Sequence, residues 1–384
     1  MTQNQRKFGI GLIGCGSISR HHIEGCAGLA DECEIRAVSD LVPEKANTAA
    51  ASIGANVQAY TDYTQLLSRP DIDVVAICSP PFAHKVPVID ALRAGKHVIC
   101  EKPMAASLQD CDEMIAVARD SGRKLSIVFQ LRFDPDIQRI RRVLQSPEME
   151  PVVFAQMNGY YWRGSNYYNV PWRGKFDTEC GGVTMNHSIH TVDLFLWLMN
   201  DQPISVSAEM DTIGHDIEVE DISMAVIKFS RGAMAQLNCS LVTVRQEHTM
   251  EFSGATKQVS FPLNFHAVQQ DAGGFPVRDD RAIECLWQLS DMQEATAPKH
   301  KYSYADLFRA IREDSEPLVN GEEGRKTIEL ITAIYKSATT GTKVLLPLER
   351  DDPWYTRTGM LEHVKRREPE LLATESIPPH IPHL

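Results

Sequence analysis

Phe8-Gly9-Ile10-Gly11-Leu12-Ile13-Gly14-Cys15-Gly16-Ser17-Ile18-Ser19 joins a short apolar run to a glycine-rich turn that opens a helical stretch. In a strand–turn–helix setting, Gly14 permits the tight turn and Gly16 lets the backbone approach a pyrophosphate at the helix N-terminus. Ser17 and Ile18 complete the turn, and Ser19 puts a small residue at the third position, where glycine or alanine is usual. Glycine turns without a ligand are common, so the flanking pattern decides. Asp40 closes the next strand candidate, Ile35–Ser39. A carboxylate there accepts hydrogen bonds from an adenosine ribose diol and repels a 2′-phosphate, which favours NAD over NADP. The alternative is an N-cap for the helix expected from Pro43.

The alternation runs through the first third of the chain. Val74–Cys78, His97–Cys100 and Lys124–Phe129 are further strand candidates. Ile18–Leu29, Pro43–Ile53, Tyr63–Leu67, Ala83–Ala94 and Leu108–Ser121 are helix-like. This order predicts an α/β Rossmann domain, a doubly wound parallel sheet, over residues 1–130. Beyond about residue 150 the pattern changes: Val152–Asn158, Ile204–Thr212, Ser223–Phe229, Ala233–Ser240, His248–Gly254 and Gln258–Phe261 read as strands. Phe229-Ser230-Arg231-Gly232-Ala233 is a hairpin turn. Residues 131–349 are therefore expected to form an α+β domain with an open, largely antiparallel sheet. Ala305–Glu313 and Lys326–Thr340 are its closing helices, one of them packing back on the first domain. Residues 350–384, rich in charge and proline, are expected as a surface tail.

A chain of 384 residues with 43% hydrophobic and 23% charged residues has ample core for two domains or three. Its formal charge of −12 argues against a nucleic-acid binder, which presents clustered Lys and Arg. The nine cysteines show no CxxC or zinc-ligand spacing and read as buried thiols in a reducing compartment. Met1–Lys7 carries no signal-peptide pattern and no apolar run reaches membrane-spanning length, so a cytoplasmic protein without membrane contact is expected.

Two segments carry chemistry. Val98-Ile99-Cys100-Glu101-Lys102-Pro103 ends a parallel strand at the carboxyl edge, where ligands bind, so Lys102 projects toward the nicotinamide end of the cleft. Its ammonium can polarise a reacting oxygen, although Glu-Lys-Pro alone is equally a solvated turn. On a regular helix through Gly181–Trp197, Asn186, His190, Asp193 and Trp197 share a polar stripe beside the apolar stripe of Met185, Ile189, Val192, Leu196 and Met199. His190 is then a candidate acid–base group, or else a structural histidine. His187 and His190 lack a third ligand at suitable spacing, so no metal is expected. Tyr160-Tyr161-Trp162-Arg163-Gly164 and Pro171-Trp172-Arg173-Gly174 offer rings to stack on a pyranose and arginines to reach its hydroxyls, or simply an aromatic seam between domains.

Taken together, Gly11–His22, Cys78–His84, Glu101-Lys102-Pro103, Gln130–Pro135 and Gly181–Trp197 resemble the glucose–fructose oxidoreductase/inositol dehydrogenase/MocA (Gfo/Idh/MocA) family. The resemblance implies NAD-dependent oxidation of a secondary hydroxyl of a sugar, polyol or glycoside at the junction of the domains. It makes Lys102, His190 and Asn186 the catalytic group. It sets Gly14, Gly16, Ser17, Ile18, Asp40, Ser79, Pro80, His84, Glu101, Lys102, Gln130, Trp172 and Arg173 along the cofactor. Lys102, Arg132, Tyr161, Trp162, Arg163, Asn186 and His190 then surround the substrate. Pro81 stands where Asn is frequent, and Asn186 where polyol dehydrogenases usually carry Asp. Asn there is familiar among members resembling sugar or glycoside dehydrogenases. Met224–Ile227 and Ala233–Leu237 place apolar residues on the open sheet, and the resemblance likewise implies a homo-oligomer, dimer or tetramer, built through it. Two rivals remain: an NAD-dependent glycosidase using transient sugar oxidation, and a non-catalytic NAD-binding sensor.

Overall fold

The computed structural model describes residues 6–291 and 300–367. The first unit runs β1 (Phe8–Ile13), α1 (Ser19–Ala27), β2 (Cys33–Ser39), α2 (Pro43–Ile53), β3 (Gln58–Tyr60), α3 (Tyr63–Leu67), β4 (Val74–Ile77), α4 (Lys85–Arg93), β5 (His97–Cys100), α5 (Leu108–Ser121) and β6 (Leu125–Ile127). Its six strands lie in the order β3-β2-β1-β4-β5-β6 and every pair is parallel. Helices cover both faces, so β4 (VVAI) is buried throughout. Local chemistry fixes the helix ends. Pro43 starts α2, while the Ser107 hydroxyl caps α5, which left-handed Gly122 then closes. The order reverses between β1 and β4, which opens the ligand crevice there.

The chain continues through α6 (Pro135–Leu144), β7 (Phe154–Tyr160), α7 (Phe176–Glu179), α8 (Ile189–Met199), β8 (Pro203–Asp211), β9 (Ile222–Phe229), β10 (Met234–Ser240), β11 (Glu247–Ser253), β12 (Lys257–Phe261), β13 (Asn264–Gln270), β14 (Pro276–Arg278), α9 (Asp280–Ser290), α10 (His300–Glu313), α11 (Gly321–Thr340), β15 (Val344–Leu345) and α12 (Arg357–His363). Nine strands form one sheet in the order β14-β13-β12-β11-β7-β10-β9-β8-β15. All neighbours are antiparallel except β7 and β10, and the expected β9–β10 hairpin is present. Inward Ser223, Ala225, Ile227 and Phe229 alternate with outward Met224, Val226 and Lys228, the period-two pattern of a sheet packed on one face.

Two late helices tie the units together. α10 lays Tyr304, Leu307 and Phe308 into the core beside β1 and β2, with Phe308 stacked on Phe8 at 4.6 Å. α11 begins against β6, where a Cβ on Gly324 would stand 2.9 Å from Ile127. It ends at β8, where Ser337 Oγ accepts from the Ala208 amide at 3.0 Å. Residues 350–367 do not form a surface tail: Trp354, Tyr355, Met360 and Val364 are buried. The Tyr355 hydroxyl donates to Asp112 at 2.6 Å and accepts from Arg325 at 2.7 Å. The rest of the expected tail lies outside the described residues. Among the described residues, no helix is long and apolar enough to cross a membrane.

Candidate active site

The glycine turn sits where β1 and β4 diverge. Gly14 has φ +94°, and a Cβ there would stand 2.7 Å from the Cys78 carbonyl carbon and the Ser79 nitrogen. Only glycine fits. A Cβ on Gly16 would meet nothing within 4 Å, so the backbone faces open space at the start of α1, as a pyrophosphate cradle requires. Ser17 and Ile18 border that space. Asp40 follows β2 and fastens the turn: one carboxylate oxygen accepts from Cys15 N at 2.8 Å, the other from Val42 N at 2.9 Å. It does not cap α2, whose N-cap is Val42. Leu41 beside it is 88% exposed, an apolar lip where a 2′-phosphate would need a cation. Ser79 and Pro80 flank the opposite wall, and Gln130 Oε1 is buried without a partner. This donor set and cradle fit a dinucleotide.

Three expected contact residues are consumed inside the protein. His84 is fully buried, its ring nitrogens 2.8 Å from the Pro103 and Ser79 carbonyls, so it joins the two loops instead of facing the groove. Glu101 is buried beneath Lys102, where its Oε1 accepts from His22 at 3.0 Å and His300 at 3.1 Å. Burial pushes its carboxyl up, but these hydrogen bonds more than reverse that and hold it well below the usual range. His22, Glu101 and His300 are also a metal-capable trio within 4.8 Å. The Tyr304 hydroxyl lies 2.8 Å from the other His22 nitrogen, so hydrogen bonds account for the arrangement from end to end. Arg132, expected at the substrate, is 2% exposed. It grips Asp193 with two hydrogen bonds (2.9 and 2.7 Å) and Glu323 with a third (2.8 Å), so its guanidinium is held in the interior by carboxylates.

Lys102 reaches across the junction, its Nζ donating to the Asn186 carbonyl at 2.8 Å. Burial lowers its pKa from the ordinary lysine value. The Gly181–Trp197 segment is not one regular helix: Val183–His187 is a wide π-type turn and α8 starts at Ile189. The projected stripe therefore breaks apart. Asp193 belongs to Arg132, and Trp197 packs beneath Arg141 at 3.9 Å. Asn186, by contrast, stays half-buried at the pocket. His190 packs edge-on to Phe129 at 5.7 Å with Nδ1 buried and unpartnered. Burial and the Lys102 charge push His190 down to about 3, so it is neutral near pH 7.

The pocket also holds residues the sequence reading missed. The Asn186 amide donates to Glu179 at the end of α7, which also accepts from the Gly174 amide at 2.5 Å and from Arg173. Its position two residues before Gly181-Gly182 was the available signal. His187 is buried with both ring nitrogens unpartnered, beside Tyr161 and Tyr167 at 5.9 and 5.2 Å. Arg173 lies over Tyr167 at 3.8 Å and Trp172 at 4.5 Å, while Arg163 lies over Tyr167 at 5.3 Å. Tyr161 packs edge-on to His248 at 4.2 Å, and Trp162 is 51% exposed at the surface.

A doubly wound nucleotide site facing a lysine and a half-buried histidine across a domain junction defines an NAD-binding oxidoreductase. Residues 8–129 match the family model described as "Oxidoreductase family, NAD-binding Rossmann fold", and residues 137–260 match the "GFO/IDH/MocA C-terminal domain". The chain belongs to the Gfo/Idh/MocA family, and it is an NAD-binding oxidoreductase of the sugar and polyol dehydrogenase type. It is 31% identical over 235 residues to an uncharacterised oxidoreductase, YrbE, of Bacillus subtilis, covering 60% of this chain and 66% of that one. It is 26% identical to 1,5-anhydro-D-fructose reductase of Ensifer adhaerens, covering 86% of this chain and 96% of that one. The solved WlbA dehydrogenase of Bordetella pertussis, in complex with NADH and UDP-GlcNAcA, superposes with a TM-score of 0.78 at 28% identity. That match covers 91% of this chain and all of the other.

Proposed function

We propose that the protein oxidises a secondary hydroxyl of a sugar, polyol or glycoside to a ketone, or runs the reverse reaction. Bound NAD supplies the hydride acceptor. The carrying observation is the meeting of Lys102 with the Asn186–His190 segment: the Nζ–Asn186 hydrogen bond of 2.8 Å brings a cation beside a neutral histidine. Lys102 polarises the reacting oxygen, and neutral His190 accepts the hydroxyl proton as the alkoxide develops. Glu179 holds the Asn186 amide and so orients the turn that carries Asn186 and leads into His190. Gly14, Gly16, Ser17, Ile18, Asp40, Ser79, Pro80 and Gln130 line the cofactor side; Trp172 and Arg173, expected along the cofactor, gather instead with Tyr167, and with Tyr161 and Arg163 they wall the sugar side.

NADH absorbance is the test, with sugars, inositols and glycosides as substrates. Lys102→Ala and His190→Ala should each lower kcat roughly 100-fold, with NAD binding retained in the His190 variant. Wild-type turnover by both would rule out this acid–base pair. Aglycone release without NADH accumulation would instead identify the glycosidase chemistry.

A further inference from the structure

The sugar end of the cleft holds more positive charge than a neutral polyol requires. Lys102, Arg163 and Arg173 face His187 there, and Glu179 is the carboxylate that faces them, already engaged by Arg173, Asn186 and the Gly174 amide. His215, the remaining basic side chain turned toward His187, is matched by Asp221 at 3.0 Å. Arg163 has no such match. Its guanidinium lies over Tyr161 at 5.8 Å and Tyr167 at 5.3 Å and donates to its neighbour's carbonyl, Trp162 O, at 2.8 Å. Among the described residues it pairs with no carboxylate. His187, 8% exposed, brings two unpartnered ring nitrogens to the same aromatic wall. A buried polar group without a partner is destabilising, and a ligand acceptor can relieve that. Burial and the surrounding cations keep His187 neutral, so it offers one N–H as a donor.

We infer that the substrate of this site is an anionic sugar, one whose ring carries a carboxylate or a phosphate ester that binds Arg163 and His187. This rests on the dehydrogenase reading above and narrows its substrate class. A planar guanidinium with free N–H groups matches a carboxylate or phosphate bidentately. The neutral imidazole N–H adds a third donor, while Tyr161 and Tyr167 supply the stacking wall. Oxidised nicotinamide would add one further positive charge to the cleft, which makes a neutral ligand a still poorer match.

The test uses the full-length protein saturated with NADH, so that binding is read without turnover. Methyl β-D-glucuronide and methyl β-D-glucoside differ only in the carboxylate, and glucose 6-phosphate against glucose tests the ester. Calorimetry should show one of the anionic ligands binding at least tenfold more tightly than its neutral partner. Arg163→Gln should reduce that ratio about tenfold while the Kd for NADH is unchanged, and Arg163→Lys should restore part of it. The preferred pair says which anion the site takes. Equal or tighter binding of both neutral partners, or a ratio indifferent to Arg163→Gln, overturns the inference. In the oxidised complex, NADH formation from neutral sugars alone also overturns it and leaves the dehydrogenase standing. Tight anion binding with no NADH formed from any sugar would instead count against the dehydrogenase reading.

Discussion

Lys102 and His190 compete for charge at the head of the cleft, and that competition sets a pH dependence. An ordinary histidine titrates near 6.5, but burial and the lysine hold His190 at about 3. The kcat/KM profile should therefore carry no inflection from His190 between pH 5 and 8. Burial lowers Lys102, so its charge is lost below the usual lysine range as pH rises. The alkaline limb should move upward in Lys102→Arg, at reduced kcat. A wild-type inflection near 6.5 that disappears in His190→Ala would contradict this. At the other end of the cleft, we propose that cofactor choice turns on Asp40. Asp40→Ser should reduce the preference for NAD over NADP about tenfold or more, the worth of one charged hydrogen bond. Because Asp40 also holds Cys15 N, a small loss of Tm should accompany it. Tighter NADP binding by the wild type, measured calorimetrically, would remove the assignment. Asp40 and Lys102 stand out in the sequence because each follows the carboxyl end of a parallel strand. The partners that engage Glu101 and Arg132, His300 and Glu323, lie 199 and 191 residues away and could not be paired from sequence, while His84 bonds backbone carbonyls that no side-chain pattern marks.

The segment joining α7 to α8 shows why periodicity alone misplaced part of the site. Gly182 lies against Glu220, which precedes β9, where a Cβ would stand 1.8 Å from the carbonyl oxygen, and Gly181 lies against the Tyr335 ring. The Glu220 carboxylate in turn accepts from the Gly182 and Thr184 amides at 2.8 and 3.0 Å. Pinned at its start, the chain widens into a π-type turn, a local form common at functional sites. A 3.6-residue projection cannot see such a turn, so Asp193 and Trp197 were placed on the pocket while Glu179 and His187 were missed. The apolar register of α8 and five of the six parallel strands were readable because burial dictates them directly; β3, three half-exposed residues at the sheet edge, carries too little apolar pattern to be read. Gly182→Ala should cost about 1–3 kcal/mol from overpacking and lower kcat as well, since the turn carries Asn186 and positions His190. Chemical denaturation and NADH turnover check the two effects. An unchanged midpoint would show that the turn tolerates displacement.

At the scale of the molecule, the two sheets are fastened by charge as well as by packing. Arg132 follows the Rossmann sheet, Asp193 lies in α8 and Glu323 in α11, and all three meet in the interior. Arg132→Met should destabilise the fold by about 3–5 kcal/mol, because Asp193, fully buried, would keep its charge without a partner. The outer face of the nine-stranded sheet is a different matter. Exposed Phe154, Met224, Val226 and Met234 stand on that face, with Met234 directly opposite Phe154 in the β7–β10 register. Between the apolar residues runs a polar ladder: Asn238 donates to Asn158 at 2.9 Å, and Asn158 donates to Thr249 at 3.0 Å. Apolar side chains around a self-satisfied polar strip suit a two-fold contact between copies, because little unpaired polarity would be trapped. We therefore expect a homo-oligomer joined through this face, with the cofactor clefts turned away from it. Light scattering at micromolar concentration should give a multiple of 43.0 kDa. Met224→Glu combined with Val226→Glu should shift the mass toward one chain while NAD binding persists, since neither residue lies near the cleft. A wild-type mass of one chain would mean that the exposed apolar side chains are simply tolerated by a monomer.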